Sequence, residues 1–188
     1  MYRRTEGRHI FMALAICLFL FSPLVIFFEP LIVAETLYYE RGVWITQIPQ
    51  INFVLCGIAM LLQILAFVAL WLMNMNKLSI VLAFLCTCGC IILIHGGSLA
   101  YASVSGEAIT FRHAFSQDKQ SYTWDSIDSI QYFDNLENDD VQPFYVFNFP
   151  NGEELQLKKN GLLTEEIRIR IDQKIRELNI PIERINEW

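Results

Sequence analysis

Charge is scarce in this 188-residue sequence, and it is missing in blocks. Only 18% of residues are Asp, Glu, Lys or Arg, 54% are hydrophobic, and the mean hydropathy is +0.35. A soluble domain carries about a quarter charged residues, so a single soluble globule is excluded, and so is a disordered chain. Basic residues are sparse in the second half: residues 100–188 hold nine Lys/Arg against sixteen Asp/Glu. Such an acidic surface is repelled by phosphate, which excludes a nucleic-acid partner. Cysteine is absent from that half, since all five lie at positions 17, 56, 86, 88 and 90, so no disulfide framework supports it. There is no glycine-rich phosphate loop and no Ser or Cys in a nucleophile elbow. No enzyme activity, cofactor, metal or small-molecule ligand is therefore expected.

Long apolar runs fill the first half. Ile10 to Phe28 is broken only by Ser22 and Pro23, Phe53 to Met73 only by Gly57 and Gln63, and Leu78 to Ile94 runs on through His95 and Gly96 to about Ala102. Nineteen helical residues reach roughly 28 Å, about the hydrocarbon thickness of a bilayer. In lipid every backbone amide needs an internal partner, so these runs predict three transmembrane helices over 10–102, behind a basic tail at 1–9. The first core is longer than that of a cleavable signal peptide, and Ile32-Val33-Ala34 makes a poor cleavage site, so the first helix is expected to stay. Residues 29–52 mix apolar residues with Tyr38, Tyr39 and Trp44 and read as an interfacial loop. Asn74 to Lys77 is so short that the second and third spans form an antiparallel hairpin.

No Asp, Glu, Lys or Arg falls within these spans, which argues against an ion or solute pathway. Gln63, Gly57 and Gly96, with Ala59 and Gly89, are read as helix-packing positions, Gln63 through an interhelical hydrogen bond. Cys86 and Cys90 share a helix face, but Cys88 is turned about 200° away, so the three cannot converge on one ion.

From about Ala102 the pattern changes to period two. Ile109, Phe111, His113 and Phe115 alternate with polar or small residues; Ser121 to Trp124, Ile130 to Phe133, Pro143 to Phe149 and Glu153 to Lys158 follow, with Pro150-Asn151-Gly152 as a turn. This reads as an antiparallel meander. The acidic stretch Asp134, Glu137, Asp139 and Asp140 lacks calcium-loop spacing and reads as a solvated loop. Thr164 with Glu165 and Glu166 marks a helix start, Ile167, Ile171, Ile175 and Leu178 form one stripe, and Pro181 ends it. The fold class is therefore membrane α-helical plus a C-terminal α+β domain over 103–188, a small antiparallel sheet or barrel capped by one helix.

The run Val104-Ser105-Gly106-Glu107-Ala108-Ile109-Thr110-Phe111, then Tyr122-Thr123-Trp124-Asp125-Ser126-Ile127 with Ile130 after it, then Pro150-Asn151-Gly152 and the final helix, resembles the bacterial PH-like domain found attached to membrane helices. The resemblance covers residues 100–188 and implies a barrel closed by the last helix. Eukaryotic relatives of that fold bind inositol phosphates through clustered Lys and Arg. Here only Arg112 and Lys119 stand in that region, beside Asp118, so headgroup binding does not carry over.

The expected function is a multi-pass cell-membrane protein whose β domain docks a protein partner or its own copies. Tyr145 and Phe147 are candidate contact surface, with the domain's own core as the competing use. The alternative is an accessory subunit of a membrane transport or secretion complex. A lipid-acting enzyme would have only His95, Glu29 and Glu35 near the membrane face. Arg3, Arg4, Arg8 and Lys77 place the N-terminus in the cytoplasm and residues 103–188 outside by the positive-inside rule, whereas the PH-like resemblance points to a cytoplasmic domain.

Overall fold

The computed structural model describes residues 3–38, 42–133, 143–158 and 164–185. They form two compact units, one of Met1–Tyr38, Ile48–Ala100 and His113–Gln117, the other of Tyr39–Gln47, Tyr101–Arg112 and Asp118–Trp188.

The first unit holds α1 (Arg3–Leu37), α2 (Gln50–Leu72) and α3 (Lys77–Ser98), all three long and apolar enough to cross a membrane. Helix α1 runs nine residues beyond Phe28, where the apolar run breaks, and so occupies the start of the expected interfacial loop. Two prolines lie inside it, Pro23 and Pro30. A helical proline leaves the carbonyl four residues back without a donor. For Pro23 that carbonyl belongs to Phe19, and the Ser22 hydroxyl donates to it at 2.9 Å, so the break in the run supplies its own repair.

Helices α2 and α3 form the expected hairpin. Asn74 and Met75 turn through left-handed φ values of 52° and 55°, and the Asn76 side chain caps α3 by accepting from the Ser79 amide at 2.8 Å. The helices approach over small residues, with Ala59 and Ala66 fully buried and the α carbon of Gly89 facing Leu62. Phe19, Leu20, Phe84 and Leu85 lie exposed on the outer faces.

The second unit contains two four-stranded sheets. In the first, β1 (Val43–Gln47), β2 (Tyr101–Ser105), β3 (Ala108–Arg112) and β4 (Gln120–Thr123) pair antiparallel in that order. In the second, β5 (Ser129–Phe133), β6 (Phe144–Asn148) and β7 (Glu154–Lys158) pair antiparallel, while β8 (Ile182–Ile185) joins β5 in parallel. Helix α4 (Glu165–Glu177) precedes β8.

Four details correct the reading of the sequence. The 29–52 segment is not a single loop: α1 continues to Leu37 and Val43–Gln47 is a strand, with Ile45 in the core. Residues Tyr101 and Ala102 belong to β2 rather than to the end of the third span. The meander is not purely antiparallel, because β8 follows α4 back to β5, a crossover long enough for a parallel pair. Strand β3 stops at Arg112; beyond it His113 is exposed and Phe115 takes φ 62°, its amide donating to the Gly96 carbonyl at 3.2 Å within the helical unit.

Val104, Ile109, Ile130, Phe147, Leu157 and Ile171 are fully buried in one core. Trp124 lies among them, its indole N–H donating to the Ser105 carbonyl at 2.9 Å and its ring edge-on to Phe147. Ile171 and Ile175 bring the α4 stripe into the same core. Thr164 occupies the N-cap position, yet its hydroxyl makes no capping bond; the expected cap is an extended backbone only. At the far end Asn179, at φ 51°, reverses the chain, and the Pro181 carbonyl accepts from the Ile130 amide at 2.9 Å, which sets the register of β8.

Candidate functional site

Tyr145 and Phe147 are not contact surface. They sit on β6, flanked on both sides by strands, and are 2% and 0% exposed. Phe144 and Asn148 at the strand ends are half-buried and Val146 is buried as well; the Tyr145 and Phe147 rings belong to the core, their centroids 6.2 Å apart.

The Tyr145 hydroxyl nevertheless reaches the edge of that core and opens onto a cleft. Tyr132, Tyr145, Arg168, Asp172, Ile182 and Arg184 line it, around about 110 Å³. Each comes from an element already described. Ile130 pairs with Ile182 and Tyr132 with Arg184 across the parallel β5–β8 ladder, so these four share the face that α4 covers. Arg168 and Asp172, four apart on α4, share one side of the helix.

Within the cleft Tyr145 donates to Asp172 Oδ1 at 3.0 Å, and its ring lies 4.7 Å from that of Tyr132. Burial, the Asp172 negative charge and the hydrogen bond to that carboxylate push the Tyr145 hydroxyl above its ordinary value near 10, against a smaller opposing pull from Arg168. Tyr145 is thus a neutral donor. One terminal nitrogen of Arg168 meets Glu165 at 2.8 Å, while its Nε is buried with no partner among the described residues. A buried guanidinium N–H without a partner is an exception among buried polar groups.

Sequence reading missed this site, because α4 charges of alternating sign look like a solvated face. The available signal was the Arg168–Asp172 spacing beside the isoleucine stripe. No sequence feature marked Arg184.

The helix-packing residues divide. Gly57 faces Ile26 of α1 at ordinary contact distance. Gly96 does not face a helix: a Cβ there would overlap the Phe115 ring. Gln63 is half-buried, and its side chain makes no hydrogen bond among the described residues. Glu29 lies inside α1 rather than beyond the first helix, its carboxyl turned to the Cys56 thiol of α2. His95 and Glu35 are exposed. The acidic stretch Asp134, Glu137, Asp139 and Asp140 lies outside the described residues, and among the described residues no three His, Cys, Asp or Glu side chains gather to hold a metal. Comparison with family models, curated proteins and solved structures finds no match to this chain.

Proposed function

We propose that this chain is a multi-pass cell-membrane protein whose three helices anchor a PH-like β domain acting as a protein-interaction or assembly module. The observation that carries this reading is the outer surface of the helical unit. Phe19, Leu20, Phe84, Leu85 and Ile91 are all exposed, and an apolar area of that extent is stable against lipid but not against water. Two sheets closed by a final helix support the PH-like assignment of the second unit.

A second reading, an accessory subunit of a membrane transport or secretion complex, is favoured by Glu29. Its carboxyl meets the Cys56 thiol of α2, and an ionisable residue among apolar helices marks a partner or a pathway more often than an anchor. Carbonate extraction followed by sizing in mild detergent tests both readings. The module reading expects the chain to stay in the membrane fraction and to elute as a discrete homo-oligomer. A stoichiometric second polypeptide would favour the subunit reading, and release by carbonate would overturn both.

A further inference from the structure

The cleft under α4 holds more positive charge and more unmatched donors than the fold requires. Arg184 is exposed on an edge strand, and replacing it would cost the core nothing. Arg168 spends one terminal nitrogen on Glu165, its Nε is buried with no partner among the described residues, and the residue lines the cleft. Tyr132 adds a second ring to the lining, and Ile182, 39% exposed, gives the mouth an apolar lip.

We propose that this cleft binds a single carboxylate of a partner polypeptide, taken by Arg168 and Arg184, with the partner's chain extended along β8. Three observations select that ligand. The guanidinium fork matches a planar carboxylate by two parallel hydrogen bonds. The lining sets Arg168 and Arg184 against Asp172, a balance that one monoanionic carboxylate neutralises and that a phosphate group, which carries about -1.5 to -2 charge at neutral pH, exceeds. Strand β8 closes its sheet and pairs on one side only among the described residues, which leaves backbone donors and acceptors for an added strand. A volume of about 110 Å³ accommodates a carboxylate with a few waters. An anionic membrane is the poorer source of the group, because residues 100–188 carry sixteen acids against nine bases, and like charges repel over a Debye length of about 8–10 Å.

The site deepens the interaction-module reading and rests on it. The test uses the full chain in mild detergent and follows the Arg168 Nε–Hε resonance. The probe is a short acetylated and amidated valine–threonine peptide with a central glutamate. Saturable displacement of the resonance is expected, about tenfold weaker for the glutamine counterpart and about tenfold weaker for Arg184→Gln, each the loss of one charge-assisted hydrogen bond. Asp172→Asn keeps an oxygen for Tyr145 and should tighten binding. Equal affinity for the two peptides, insensitivity to Arg184→Gln, tighter binding of inorganic phosphate, or binding to phosphatidylserine nanodiscs in place of the peptide would each overturn the proposal. None of these outcomes alters carbonate resistance or oligomeric state, so failure here is distinguishable from failure of the module reading.

Discussion

Tyr145 does two jobs with one side chain. Its ring belongs to the core at 2% exposure, and its hydroxyl holds Asp172 in place at 3.0 Å. Removing the hydroxyl by Tyr145→Phe keeps the ring packing and should cost about 1 kcal/mol, the net worth of one such bond. The pH dependence has a definite sign. Because the folded-state hydroxyl is raised above its ordinary value near 10, the unfolded chain ionises first, and the folded state binds more protons as the solution becomes alkaline. The stability that Tyr145 contributes is therefore fully present below about pH 10 and is lost as pH rises above it. Melts of the second unit's near-ultraviolet signal between about pH 8 and 11 should fall more steeply for the native chain than for Tyr145→Phe; parallel curves would show that the hydroxyl is not protected. At this scale the sequence was only partly informative. The alternation around Tyr145 and Phe147 marks two positions on one strand face without saying whether that face is covered, and the cover is α4, some twenty residues away. Gly96 likewise reads as a small helix residue, and its smallness serves the Phe115 ring.

Strand β1 shows how an element can escape sequence reading while being structurally required. Five residues, Val43–Gln47, sit between two long helices, too short for period two to stand out, and Trp44 mimics an interfacial residue. Their pairing partner, β2, is masked by its apolar residues, which prolong the third hydrophobic run. Strand β8 is equally obscure, since Ile182, Glu183 and Arg184 are all exposed. By contrast β3, β5, β6, β7 and α4 were legible, because each carries buried apolar residues at strand or helix spacing, and β4, with no fully buried residue, was marked by Tyr122 and the adjoining Trp124. The consequence concerns the excised domain. A fragment of residues 103–188 lacks β1 and the first two residues of β2, and so loses Ile45 and Ala102 from the core and the Trp44 ring 6.0 Å from that of Trp124. One buried isoleucine is worth about 1.5–3 kcal/mol, a large share of a small domain's stability, and β2 would be left as a bare edge. Since Gln47 stands opposite Ala102, a short glycine–serine turn can join Gln47 to Tyr101 in a contiguous version. That graft should melt cooperatively by circular dichroism, at a clearly higher temperature than 103–188. Identical melts would show that β1 is dispensable.

For a chain inserted in a bilayer as proposed, the expected orientation follows from which end of the helical unit is basic. Arg8 donates to Asn74 Oδ1 at 2.7 Å, which brings the start of α1 to the turn between α2 and α3, and Lys77 opens α3 at that same turn. Basic residues near the ends of spans stay in the cytoplasm, and acids count for little in this bias. The opposite end of the unit is made by the C-terminal part of α1, which carries Glu29 and Glu35, the N-terminus of α2 and the C-terminus of α3; between α1 and α2 the sequence has one basic residue, Arg41. The chain leaves from that end into β1 and again into β2, so the second unit is expected outside the cytoplasm. Alkaline phosphatase fused after Trp188 should then be active in intact cells and a fluorescent protein fused there dark. The opposite pair of results would place Arg8 and Lys77 on the outer side, against the charge bias. The cleft would then meet cytoplasmic partners, as the PH-like resemblance implies. Replacing Arg3, Arg4, Arg8 and Lys77 together by glutamine separates the two cases mechanistically. If those charges set the topology, the quadruple variant should give a mixture of phosphatase-active and fluorescent molecules, and if packing of the second unit sets it, the variant should report as the native chain does.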